Sequence, residues 1–110
     1  GQIHGGIAQG LGQVLGEHVR YGEDGQLLNA SLMDYALPRA DGMPTMLTAH
    51  HSVPCTTNPL GVKGAGESGV AGALPSAMNA VLDALAQRGI EHFDLPASPQ
   101  RVWKILRDKA

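Results

Sequence analysis

The twelve residues Asn58-Pro-Leu-Gly-Val-Lys-Gly-Ala-Gly-Glu-Ser-Gly69 set one carboxylate, Glu67, in a run of glycines just ahead of an apolar helical pattern. Four glycines in the nine residues from Gly61 to Gly69 let another backbone or a ligand approach closely, since glycine has no Cβ to keep it away. A carboxylate on such a loop is a candidate general base. Its ordinary role would be that of a solvated loop residue or a partner for Lys63. To act near neutrality it must hold a proton more tightly than an exposed carboxylate does, and burial against a neighbour supplies that.

Other chemistries fit the same residues less well. Gly64-Ala-Gly-Glu-Ser-Gly69 satisfies the GxGxxG spacing of dinucleotide-binding turns. No buried strand pattern precedes it, however, and Glu67 would set a negative charge beside the pyrophosphate. Lys63 stands before Gly64, whereas the lysine of a phosphate-binding P-loop follows its last glycine and precedes Ser or Thr. His50, His51 and Cys55 lie close in sequence, but adjacent histidines on a strand point to opposite faces, so no residue is assigned to hold a metal directly. Gln2, Gly6, Gln9 and Gln13 share one helical face, where amides beside small residues can either meet a ligand or form a solvated stripe.

The elements that must position these groups follow from periodicity. Ile3, Ile7, Leu11, Val14 and Leu15 recur at helical spacing, predicting a helix over about residues 4–17. Gly5, Gly6, Gly10, Gly12 and Gly16 interrupt it at about 1 kcal/mol each relative to alanine, which implies close packing in compensation. Residues 18–21 and 26–35 flank a Gly22-Glu-Asp-Gly25 turn and read as a hairpin. A strand is expected over 46–53, a helix over 74–88 ended by Gly89, a short strand over 90–93, and a closing helix with Ser98 as N-cap and Pro99 at its first position. The order predicts an α+β fold, with helices packed on a small mixed or antiparallel sheet.

The Asn58 to Gly69 loop resembles that of the molybdopterin-binding large subunit of the xanthine dehydrogenase, aldehyde oxidase and carbon monoxide dehydrogenase family. Three further stretches match the same family in order: Gly1-Gln-Ile-His-Gly-Gly-Ile-Ala-Gln-Gly-Leu-Gly-Gln13, Ser31-Leu-Met-Asp-Tyr-Ala-Leu-Pro-Arg39 and Leu95-Pro-Ala-Ser-Pro-Gln-Arg-Val-Trp103. The resemblance implies that residues 1–110 are a C-terminal part of a molybdopterin cofactor-binding domain, a fragment of a longer parent. It implies Glu67 as the catalytic base, with Gln2, Lys63, Gly64, Ala65 and Gly66 against the cofactor, molybdenum-molybdopterin in its cytosine dinucleotide form. It also implies iron–sulfur clusters and FAD on other domains or subunits, and a small-molecule substrate oxidised with water-derived oxygen. The rival reading is a noncatalytic remnant or structural subunit docking on a partner chain. Cys55 departs from the family, which more often has a small hydroxyl residue or proline there.

Composition narrows the classes. A net charge of −2 over 110 residues gives no electrostatic case for nucleic acid, and four aromatics, Tyr21, Tyr35, Phe93 and Trp103, make no base-stacking platform. One cysteine excludes an internal disulfide and a cysteine-ligated cluster within this chain. No apolar run reaches the roughly 20 residues of a membrane span. A cytoplasmic location is expected, with the periplasm as the alternative.

Overall fold

Three helices carry the structure, a computed structural model that describes residues 1–109: α1 (Gln2–Leu15), α2 (Ser68–Ala86) and α3 (Pro99–Asp108). A single 3₁₀ turn, Ala40–Gly42, interrupts the long connection between α1 and α2.

The face that α1 buries is its glycine face. Gly6, Gly10, Gly12 and Val14 are its buried residues, while Ile3, Ile7 and Leu11 are only half-buried. A Cβ added at Gly6 would lie 2.9 Å from Val70 N and 3.0 Å from Gly69 Cα of α2, and one at Gly10 would lie 2.8 Å from Ala73 Cβ. The two helices therefore meet backbone to backbone along Gly6 and Gly10 on one side, Gly69 and Ala73 on the other. Contacts advance in the same direction along both chains, so α1 and α2 are parallel.

Beyond this seam lies the core. Val14, at the C-terminal end of α1, is fully buried with Leu85, Ile90, Phe93 and Ala97. Val81 and Leu82 of α2 and Val102, Ile105 and Leu106 of α3 pack against that cluster. Ala97 N donates to Val14 O at 2.6 Å, tying the approach to α3 onto the end of α1. Ser98 and Pro99 open α3 as the sequence predicts, although the Ser98 side chain makes no capping bond. Trp103 turns outward, with the Arg107 guanidinium 4.6 Å from its ring centroid.

The expected sheet is absent. Among the described residues there is no strand, only an isolated antiparallel bridge between Tyr21 and Leu27, so the α+β prediction is corrected to a helical fold with long extended connections. A strand exists through its neighbours, and a lone hairpin is marginal without a third strand or a packed face. The predicted hairpin closes with Gly22 N donating to Gln26 O at 2.8 Å and Leu28 N to Arg20 O at 2.9 Å. It then hands over to a side chain: buried Asn29 accepts from Arg20 N at 2.9 Å and donates through Nδ2 to His18 O at 2.5 Å. Residues 90–93 send Ile90 and Phe93 into the helical core. Residues 46–53 make no backbone hydrogen bond among the described residues.

α2 begins six residues before the predicted start at 74, and its 19 residues, of mean hydropathy 1.2, make it the one helix among those described that is long and apolar enough to cross a membrane. The sequence reading missed this because Ser68, Gly69, Val70, Ala71, Gly72 and Ala73 include one large apolar residue, Val70, and so carry no apolar periodicity. The radius of gyration is 17.8 Å, against about 13 Å for a compact domain of this length. The excess reflects the extended connections.

The seam yields opposite outcomes for two substitutions within it and beside it. Gly69→Ala places a Cβ 2.6 Å from Ile3 O and should destabilise by about 1–3 kcal/mol, the usual cost of overpacking. Gly5→Ala meets nothing within 4 Å and should stabilise by about 0.5–1 kcal/mol. Denaturant unfolding midpoints check both, and a neutral Gly69→Ala would remove the seam from the account.

Candidate functional site

Parallel packing brings the N-termini of α1 and α2 to the same end of the molecule, about 18 Å along the helix from Val14 and the core. Neither N-terminus carries a side-chain cap or an acidic residue within its first turn. In α1 the N–H groups of Gln2, Ile3 and His4 have no backbone partner among the described residues, whereas in α2 Ser68 N donates to Ala65 O at 3.4 Å and Val70 N lies under Gly6 in the seam. The positive ends of two helix dipoles lie side by side. Such an end suits an anionic ligand.

Gln2 joins the two. Its Nε2 donates to Gly66 O at 3.0 Å, across 64 positions of sequence. Two predicted site positions from opposite ends of the chain are thus in direct contact. Glu67 follows as the N-cap of α2, its carbonyl accepting from Ala71 N at 3.0 Å while its side chain makes no capping bond. The carboxylate is exposed, so the burial expected of a general base is not supplied by residues 1–109. Ser68 Oγ donates to Ala65 O at 2.8 Å and closes the turn that leads into the helix.

Lys63, Gly64 and Ala65 are exposed on the approach to this turn. Gly64 and Gly66 have no positive φ, and a Cβ on either would meet nothing within 4 Å. Nothing inside the chain requires glycine at these two places. The open side of the loop does, if a ligand lies against its backbone.

The loop is also held from behind. Gly61 takes φ +66°, and Cys55 N donates to Gly61 O at 3.0 Å. Asn58 clamps the segment with both ends of its amide, donating to Val62 O at 3.0 Å and accepting from Val62 N at 3.2 Å. Sequence reasoning gave Asn58 no role. The available signal was an amide side chain opening an Asn-Pro-Leu-Gly turn, a residue type that bonds its own local backbone. Cys55 is half-buried beside Thr57, with Sγ and Oγ1 3.0 Å apart. The hydrogen bond from the Thr57 side chain holds its thiol below the ordinary cysteine range. Gln9 and Gln13 are exposed, away from the Gln2 contact, and Gly6 on their face is spent in the helix seam.

Comparison with known proteins agrees with this geometry. Residues 1–44 match the family described as "Molybdopterin cofactor-binding domain". The chain is 41% identical over 108 residues to the carbon monoxide dehydrogenase large chain of Hydrogenophaga pseudoflava, covering 98% of this chain and 13% of that one. It is 41% identical over 107 residues to the nicotine 6-hydroxylase large subunit of Paenarthrobacter nicotinovorans, covering 97% and 13%. Crystallographic quinoline 2-oxidoreductase from Pseudomonas putida 86 superposes with a TM-score of 0.91 at 38% identity, covering 99% of this chain and 14% of that one.

Nearly the whole chain is similar to one segment of molybdenum-enzyme large subunits, and residues 1–44 carry the pattern of a molybdopterin cofactor-binding domain. The chain spans 13% to 14% of the length of these relatives. The donor set near the shared helix end fits a molybdopterin cofactor, since the first N–H groups of α1, the Gln2 amide and bare glycine backbone, with the Lys63 ammonium exposed on the approach to the turn, favour an anionic ligand rich in acceptors.

Two measurements probe these contacts. Gln2→Ala should speed amide exchange at Gly66, Glu67 and Ser68 while leaving the middle of α1 protected, because it removes the one side-chain tie between α1 and the loop. Unchanged exchange there would show the 3.0 Å contact to be incidental. Thr57→Val should move the onset of Cys55 alkylation to higher pH, since the thiolate loses the hydrogen bond that favours it. A shift to lower pH, or none, contradicts that assignment.

Proposed function

We propose that residues 1–110 form a C-terminal part of the cofactor-binding domain of a molybdenum hydroxylase, and that Glu67 is the general base of its reaction. The observation that carries this reading is the meeting of Gln2 with Gly66 at the paired helix N-termini, with Glu67 at the next position.

When bound, the molybdenum-molybdopterin group, taken here in its cytosine dinucleotide form, supplies the redox centre that accepts the two electrons released when a substrate C–H bond is oxidised with water-derived oxygen. The remaining tasks fall to this chain. Gln2, Lys63 and the backbone of Gly64, Ala65 and Gly66 bind and orient the group. Glu67 takes up, at a carboxylate oxygen, the proton of the water whose oxygen enters the product. Residues of the parent outside this segment enclose the carboxylate and raise its basicity, as a desolvated environment does. Iron–sulfur clusters and FAD, held on other domains or subunits of an enzyme we place in the cytoplasm, would supply the path by which the electrons leave.

The relatives are named for carbon monoxide and nicotine, and the solved structure for quinoline, yet each shares 38% to 41% of this sequence. Similarity so even across such different small molecules supports placing substrate choice outside this segment. We read α2 as a packing helix, because its Gly69 and Ala73 side already lies against α1.

Glu67→Gln in the complete enzyme tests the assignment. The amide keeps the shape and cannot accept the proton, so molybdenum content should be unchanged while turnover falls roughly 10²–10⁴-fold. The loss should appear in kcat more than in KM. Turnover near the parental rate with cofactor in place would reduce Glu67 to a loop residue, and a complete enzyme without molybdenum would favour a noncatalytic role.

A further inference from the structure

Residues 44–54 run without a turn, bend or helix, and among the described residues none of their N–H or C=O groups enters a backbone hydrogen bond. Extended backbone alternates its side chains, so Leu47, Ala49, His51 and Val53 fall on one side and Met46, Thr48, His50 and Ser52 on the other. The first side is apolar but for His51, and it stands in solvent: Leu47 is 96% exposed and Val53 58%.

An edge strand meant to remain in water is normally blunted by charge, lysine above all. Residues 44–54 contain no Asp, Glu, Lys or Arg, and prolines occur only at the two ends, Pro44 and Pro54. The sequence thus carries the β-propensity that predicts a strand and none of the devices that would protect an unpaired one. A second observation says what covers it. Among the described residues no backbone hydrogen bond holds the arm's direction, and of residues 46–53 only Met46 is half-buried, yet the superposition with a TM-score of 0.91 extends over 98% to 99% of the chain, inside solved chains of which it makes up 14%. A path shared in that setting points to support from the remaining 86% of such a chain.

We propose that residues 46–53 are a β-strand whose partner strand lies in the rest of the large subunit, which bonds to their backbone and covers Leu47, Ala49 and Val53. This rests on the reading of the chain as one segment of that subunit, and it adds the chemistry of the joint: strand addition, with main-chain bonds giving affinity and the alternate apolar side chains fixing register.

Hydrogen exchange on the complete large subunit decides the matter. Amides of residues 46–53 should exchange slower than unprotected backbone by roughly 100-fold or more, as for bonds that open only in sub-global unfolding. Leu47→Asp should erase that protection while leaving the middle of α1 protected. Exchange at the unprotected rate in the intact subunit would overturn the proposal. So would protection that disappears on dilution to the monomer, which would make a second copy the partner. Molybdenum content measured on the same sample separates the two readings: protected amides in a subunit that binds no molybdenum leave the strand standing and remove the cofactor role, and the converse result removes the strand alone.

Discussion

The arrangement depends on the close contact of Gly6 and Gly10 with Gly69 and Ala73, where two helices touch through backbone because no side chain stands between them. Glycine inside a helix costs stability, about 1 kcal/mol at each place, and here the return is proximity. Any larger residue in the seam would drive the helices apart. That separation would carry Gln2 away from Gly66 and undo the one bond that unites the two halves of the candidate site.

From the seam follows a division of labour along the helix pair. Large apolar side chains gather at the C-terminal ends, where Val14, Leu85, Ile90, Phe93 and Ala97 make the core. The N-terminal ends are left with small residues at the seam, the unbonded first N–H groups of α1 and the exposed Glu67. Electrostatics suits the same division, because the parallel dipoles offer their positive ends where an anion is to bind. Two asparagines serve this plan in the connections. Asn29 bridges the backbone of His18 and Arg20, and Asn58 bridges both backbone groups of Val62, each standing in for the neighbouring strand that the chain lacks.

Local signals in the sequence were reliable where the cause was local. Helical spacing in α1, the Ser98-Pro99 start of α3 and the stop at Gly89, with φ +70°, all correspond to what forms. The glycine loop around Glu67 was conspicuous for the same reason, and the family resemblance supplied Gln2. Other features had no local cause to read. Apolar periodicity made Ile3, Ile7 and Leu11 look like the buried stripe of α1, whereas burial fell to Gly6 and Gly10, which a hydrophobicity pattern does not register. The sheet failed as a prediction because alternation reports a strand's preference and says nothing of its partner. For residues 46–53 that preference is present, and the described residues hold no partner strand.

The smoothness of the seam has a mechanical consequence. Helices that interlock through large side chains resist axial sliding, because each ridge sits in a groove. Backbone resting on backbone offers far shallower corrugation, so α1 and α2 behave as two polished rails. Their relative position along the axis is fixed at the ends, by Gln2 on Gly66 at one and by the packing of Val14 in the core with Leu85 at the other. The first is a single hydrogen bond beside the proposed base, and the second is a packed core. Axial play between the two helices is therefore resisted least at the end where the loop carries Glu67.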